Sequence, residues 1–168
     1  MSMKALVVVN YQNDHVVGPV SNRYTQLIEG NIVERIEDTL KSKGKVFFLV
    51  DSFNESHFRD QKNGVRYCIR ATPGAELYGR MNDYSSKGSI IRKETYGSEE
   101  LLGHLRTFDS IEICGVETEK DILANAIIAK TSNPKAEVVV RQNCVATRNS
   151  ALAEEALDVL SGIGVRIL

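Results

Sequence analysis

Apolar residues along this chain gather in short β-branched runs, separated by stretches where they recur every three or four positions. The first run, residues 4–10 (KALVVVN), is apolar on both faces and predicts a strand buried on both sides. After a long loop, Asn31 opens a predicted helix as its N-cap, with Glu34 three residues on. Ile32, Val33, Ile36 and Leu40 line one face of that helix and Gly44 ends it. Residues 45–51 (KVFFLVD) form the second strand, and the third, Ser89–Lys93, comes only after a polar, turn-rich stretch. A short helix then buries Leu101, Leu102 and Leu105, and Ser110–Gly115 is the fourth strand. Thr118–Lys130 reads as a helix burying Ile122, Leu123, Ala126 and Ile127, and Ala136–Arg141 as the fifth strand. A last helix, from Ser150 to Leu160, turns Leu152, Ala156 and Leu160 inward and ends at Gly162; Gly164–Leu168 completes the set as a sixth strand.

Strands that alternate with helices and lack tight hairpin signals imply right-handed crossovers. The expected architecture is therefore a three-layer α/β/α domain over residues 1–168, built on a six-stranded, mostly parallel sheet. Ligands of such sheets sit beyond the carboxyl ends of the strands. The positions to interrogate are those ending strands one, three and four: Asn10, Lys93 and the Gly115–Asp121 turn.

Composition narrows the classes of function. With 168 residues, 42% apolar and 26% charged, the chain is long enough for one globular domain with a sizeable core. The 21 basic and 22 acidic residues nearly cancel, so neither nucleic acid nor an anionic membrane is expected as a partner. The apolar runs are too short to span a bilayer. The three cysteines, Cys68, Cys114 and Cys144, are an odd number at no metal-ligand spacing, which points to a reduced, cytoplasmic compartment.

The local chemistry excludes more than it admits. Asn10-Tyr11-Gln12-Asn13 stands where a dinucleotide site needs Gly-x-Gly-x-x-Gly, and there is no P-loop, so no nucleotide cofactor is expected. Asp51 and His57 could meet near the end of strand two, but no third His or Cys lies nearby in sequence, and no metal is expected. His15 and His104 stand alone and read as surface or hydrogen-bonded histidines. Cys114 and Cys68 read as packing residues. Cys144, placed just after the fifth strand near the site edge, has no accompanying His or Asp and reads as inert.

Four segments, in order over essentially the whole chain, resemble the isochorismatase-like superfamily, which includes nicotinamidases and other cysteine hydrolases. Residues 5–14 (ALVVVNYQND) are similar to its first strand, which normally ends Asp-x-Gln-Asn-Asp. Residues 68–77 (CIRATPGAEL) resemble its Thr-Pro-Gly-Ala-Glu-Leu turn, and 90–96 (IIRKETY) its strand ending in lysine. Residues 113–126 (ICGVETEKDILANA) resemble its Gly-Val-x-Thr-x-x-Cys-Val segment and the helix after it. The resemblance implies a Rossmann-like fold, frequent homo-oligomers (a dimer or tetramer here), and a triad of Asp, Lys and Cys whose positions are Asn10, Lys93 and Asp121. It further implies a cis peptide at Val116–Glu117 beside an oxyanion hole, and ligand contacts at Gln12, Thr118 and Tyr96, the last as the nearest aromatic after the lysine. The Asp-x-His metal pattern of nicotinamidases is absent from residues 51–57 (DSFNESH).

The substitutions have direct consequences. In such enzymes the thiolate attacks an amide carbonyl, the strand-one carboxylate takes the thiol proton and the lysine steadies the charges. Asn10 cannot take up a proton at neutral pH, and Asp121 is a weak nucleophile towards amides, so thiol-type hydrolysis should be absent. Lys93 and a helix N-terminus are expected to hold Asp121 ionised, leaving a single Lys–carboxylate pair. Alternatively, Thr118-Glu119-Lys120-Asp121 is a capping box in which Asp121 only caps its own helix. The functional readings are thus a non-catalytic binder of a small polar or amide-bearing ligand, a divergent hydrolase using Asp121 with Lys93, or an assembly subunit.

Overall fold

The computed structural model describes residues 2–58 and 64–168. Its strands are β1 (Lys4–Val9), β2 (Lys45–Asp51), β3 (Ser89–Lys93), β4 (Ser110–Val116), β5 (Glu137–Ala146) and β6 (Arg166–Ile167). They pair in parallel throughout, in the order β3-β2-β1-β4-β5-β6. The helices are α1 (Asn13–Val16), α2 (Glu29–Lys41), α3 (Glu99–His104), α4 (Leu123–Ser132) and α5 (Ser150–Gly162).

Alternation along the strands explains the layers. Val7, Val9, Ile111, Ile113, Val138 and Val140 point to one face, where they pack on Leu101 of α3 and Leu105 just after it, Ala126 and Ala129 of α4, and Leu160 of α5. Leu6, Val8, Val46, Phe48 and Cys114 point to the other and meet Ile32, Val33 and Ile36 of α2. Burying side chains of this size is worth roughly 1.5–3 kcal/mol each, so both faces contribute to stability. The register sets Val9 opposite both Leu49 and Gly115, and Asp51 opposite Lys93. The carboxyl ends of β1, β2, β3 and β4 therefore meet at one edge of the sheet.

Several boundaries differ from the sequence-based expectation. α2 begins at Glu29, straight after a 3₁₀ turn at Gln26–Ile28, so Asn31 lies inside the helix and not at its N-cap; its Nδ2 donates to the Asn143 carbonyl at 2.7 Å. The polar stretch between β2 and β3 is held by 3₁₀ turns at Glu55–Phe58, Pro73–Ala75 and Gly79–Lys87, which short apolar periodicity does not reveal. β5 continues to Ala146 past a register shift opposite Ile113 and Gly115, which puts Cys144 inside the strand. β6 is only two residues long. Ile127 and Leu152, expected in the core, face solvent. The predicted helix from Thr118 splits into one wide π turn, Thr118–Ile122, closed by Ile122 N–H donating to the Glu117 carbonyl, and α4 after it. Among the described residues no helix is long and apolar enough to cross a membrane.

Candidate functional site

Two motif segments build the scaffold by docking on each other. Gln12 Nε2 donates to the carbonyls of Asp51 and Ala75, both at 2.8 Å, while its Oε1 accepts from Asp51 N–H at 2.9 Å. Asn13 Nδ2 donates to the Pro73 carbonyl at 2.7 Å, and Asp14 Oδ2 accepts from Cys68 N–H at 2.8 Å. Gly74 completes the fit: a Cβ there would lie 2.1 Å from Asp14 Oδ2. Gln12, expected to bind ligand, is thus a buried strut with its amide fully used.

At the strand ends, Lys93 Nζ donates to Asp51 Oδ1 and to Asp121 Oδ1, each at 2.5 Å. His15 Nε2 meets the second oxygen of Asp51 at 2.9 Å. All four side chains are buried. The expected single Lys–carboxylate pair is therefore corrected: Lys93 bridges two acids, because β2 ends beside β3 and delivers Asp51 to the ammonium. Asn10 has φ +52°, a conformation that Asn tolerates better than most residues, and neither side-chain polar atom finds a hydrogen-bond partner among the described residues. Of the three triad positions, Lys93 and Asp121 pair, and Asn10 bonds to neither.

The acids titrate in opposite directions. Burial alone would raise Asp51, but His15 and Lys93 outweigh it and hold its pKa below the usual carboxylate value. For Asp121, burial and the neighbouring Asp51 outweigh Lys93, and its pKa is raised. Against the expected pull of Lys93 and a helix N-terminus towards the ionised form, the net direction at Asp121 is upward. Burial opposes the charge on Lys93, yet its two carboxylates keep its pKa above the ordinary lysine value. The capping box does not form. Thr118 Oγ1 donates to the Ala146 carbonyl at 3.2 Å, and the wide turn aims Asp121 at Lys93 instead.

The Val116–Glu117 peptide is cis. Glu117 opens onto a cavity of about 410 Å³ lined also by His15, Asp51, Asp121, Tyr96 and the aromatic trio Phe53, Phe58 and Tyr67. Thr118, Gln12 and Asn10 are buried behind the surface and are absent from that lining. Tyr96 is a wall residue; Asn125 Nδ2 ties its carbonyl at 2.9 Å and that of Asp121 at 2.7 Å, so one buried amide positions both. His57 stacks on Phe53 at 4.4 Å between ring centroids, and Asp51 takes His15, not His57, as its imidazole partner. The three cysteines are buried and their thiols raised, that of Cys144 to about 11. None of them lines the cavity among the described residues.

His15, Asp51 and Cys68 bring three metal-type donors within 4.8 Å of one another. They do not fit a divalent ion as they stand. Both Asp51 oxygens are engaged, one by an ammonium, and burial keeps the Cys68 thiol protonated. Zinc addition or chelation is accordingly expected to move the melting temperature by less than about 1 °C, against the ~8 °C that a 100-fold excess over Kd would give a protein of this size. A shift of several degrees in differential scanning fluorimetry would contradict this.

Asp51 and His15 were the residues that strand-end reasoning missed. Asp51 was legible, since strand two neighbours both one and three; His15 was not, because α1 is a four-residue turn too short to show a periodic face.

Residues 4–168 match the family model of the isochorismatase domain. The chain belongs to the isochorismatase family. This isochorismatase-family chain is similar in structure to the pyrazinamidase of Pyrococcus horikoshii, solved in complex with zinc (TM-score 0.87, 27% identity, 98% of each chain covered). It is likewise similar to the nicotinamidase of Bacillus subtilis (TM-score 0.84, 26% identity, 98% of each chain) and that of Staphylococcus aureus (TM-score 0.78, 27% identity, 99% of each chain). No curated protein matches the chain. The fold that the sequence resemblance implied is the one present.

Proposed function

We propose that this isochorismatase-family protein binds a small amide-bearing ring compound at the Asp51 and Asp121 floor, with Lys93 behind it, without thiol-dependent hydrolysis. The observation that carries the reading is Asp121 itself: a carboxylate paired with Lys93 lines the cavity where the family pattern has cysteine. A carboxylate accepts the two N–H hydrogens of a primary amide but gives no stable acyl intermediate with it. The aromatic walls suit a flat ring, and the similar structures named for pyrazinamide and nicotinamide concern ring carboxamides.

The raised pKa of Asp121 favours one second reading, a divergent hydrolase in which protonated Asp121 is a general acid towards a vinyl ether or amide. Turnover of nicotinamide, pyrazinamide and isochorismate, with calorimetric binding, separates the two. The first reading expects a silent wild type, binding weakened by about tenfold in Asp121→Ala, and amide turnover regained in N10D/D121C. Wild-type turnover that disappears in Asp121→Ala would replace it with the second.

A further inference from the structure

The cavity is electrically lopsided. Its floor presents the two carboxylates Asp51 and Asp121, with the one ammonium, Lys93, buried behind them. At its rim the ratio is reversed: buried Glu117 accepts from Lys120 Nζ at 2.8 Å on one oxygen and from Arg148 Nε at 2.9 Å on the other. Arg148 spends only Nε there, so its two terminal amines, like the remaining Lys120 hydrogens, have no acceptor among the described residues. Both cations stay nearly half exposed, at 41% and 46%. The other acids do not restore the balance. Glu94 is engaged by Arg70, and Glu119 lies off the cavity, accepting from the Thr147 hydroxyl at 2.6 Å. His57 also lines the cavity and adds no negative charge.

Resting on the amide-binding reading above, we infer that the ligand is a ring carboxamide that also carries a carboxylate. Its amide N–H groups face the acidic floor, its ring lies between Phe53, Phe58, Tyr67 and Tyr96, and its carboxylate is held by the free edge of Arg148 and by Lys120. The orientation follows from charge. A carboxylate at the floor would meet Asp121 and Asp51, whereas at the rim it finds the planar fork that pairs best with carboxylates.

Titration calorimetry with benzamide, 3-carbamoylbenzoate and 4-carbamoylbenzoate tests this. At least one carbamoylbenzoate should bind the wild type about tenfold more tightly than benzamide, the effect of one charge-assisted contact. Lys120→Gln and Arg148→Gln keep a donor for Glu117 while removing charge, and together they should bring that ratio close to one. Glu117→Gln removes the competing acid and should widen the ratio several-fold, a gain that a damaged fold would not produce. Equal affinities in the wild type, or a ratio that Glu117→Gln leaves unchanged or narrows, would overturn the inference while the amide reading stands. If none of the three compounds binds, both fall.

Discussion

Lys93→Met is expected to destabilise the fold by about 3–5 kcal/mol, because it strands Asp51 and Asp121 as buried acids with no cation between them. At roughly 2–4 °C per kcal/mol for a chain of this length, the melting temperature should fall by roughly 10 °C. The loss should shrink in acid. Without Lys93 one or both carboxyls take up protons in the folded state with raised pKa values, and a group raised on folding contributes its stability below its unfolded pKa and loses it as pH climbs. Wild type and variant should therefore differ most near neutrality and converge towards pH 4. Asp121→Asn is the informative control, since it leaves a one-to-one Lys93–Asp51 pair and should change stability by less than about 1.5 kcal/mol. Equal thermal stability of Lys93→Met and wild type at pH 7 would mean that the two acids are not held apart from water as the structure has them.

Gly115→Ala should be comparably severe for a different reason. Gly115 has φ +112°, and an added Cβ would lie 2.0 Å from the Val9 carbonyl oxygen and 2.8 Å from its nitrogen. Both are backbone atoms in the central strand pair, so neither can swing aside as a side chain could. Strain from the positive φ and overpacking each contribute on the order of 1–3 kcal/mol, and about 4 kcal/mol together is expected. The consequence reaches the site, because the two residues after Gly115 form the cis peptide that ends in cavity-lining Glu117. A denaturant midpoint within experimental error of wild type would show that β1 and β4 can part without cost.

Much of this architecture is written in local pattern. The apolar runs located the strands most plainly in β1 and β2, which are buried on both faces, and Lys93 and Asp121 were found because strand ends converge on one edge. What pattern could not supply was the partnership of residues distant in sequence. Asp51 and His15 lie 36 positions apart, and the pairing of β1 with β2 together with the bonds of Gln12 to the Asp51 backbone makes them neighbours. The capping-box motif misled for the opposite reason. Its local logic is sound, but the pull of a buried ammonium and a wide first turn won over it. Cys144 was misplaced by one register shift, which no hydrophobic count registers.

The backbone at residue 10 has a consequence for how such a protein can change its trade. A buried position at φ +52° admits few side chains comfortably, and Asn and Asp are among them. The fold therefore restricts this position to a short list in which a proton acceptor and its inert isostere are near equals. A lineage can cross between them in one step with little disturbance to its architecture. On the reading proposed above, reactivity and foldability are separable at this position, and the scaffold outlives one chemistry and is available for another.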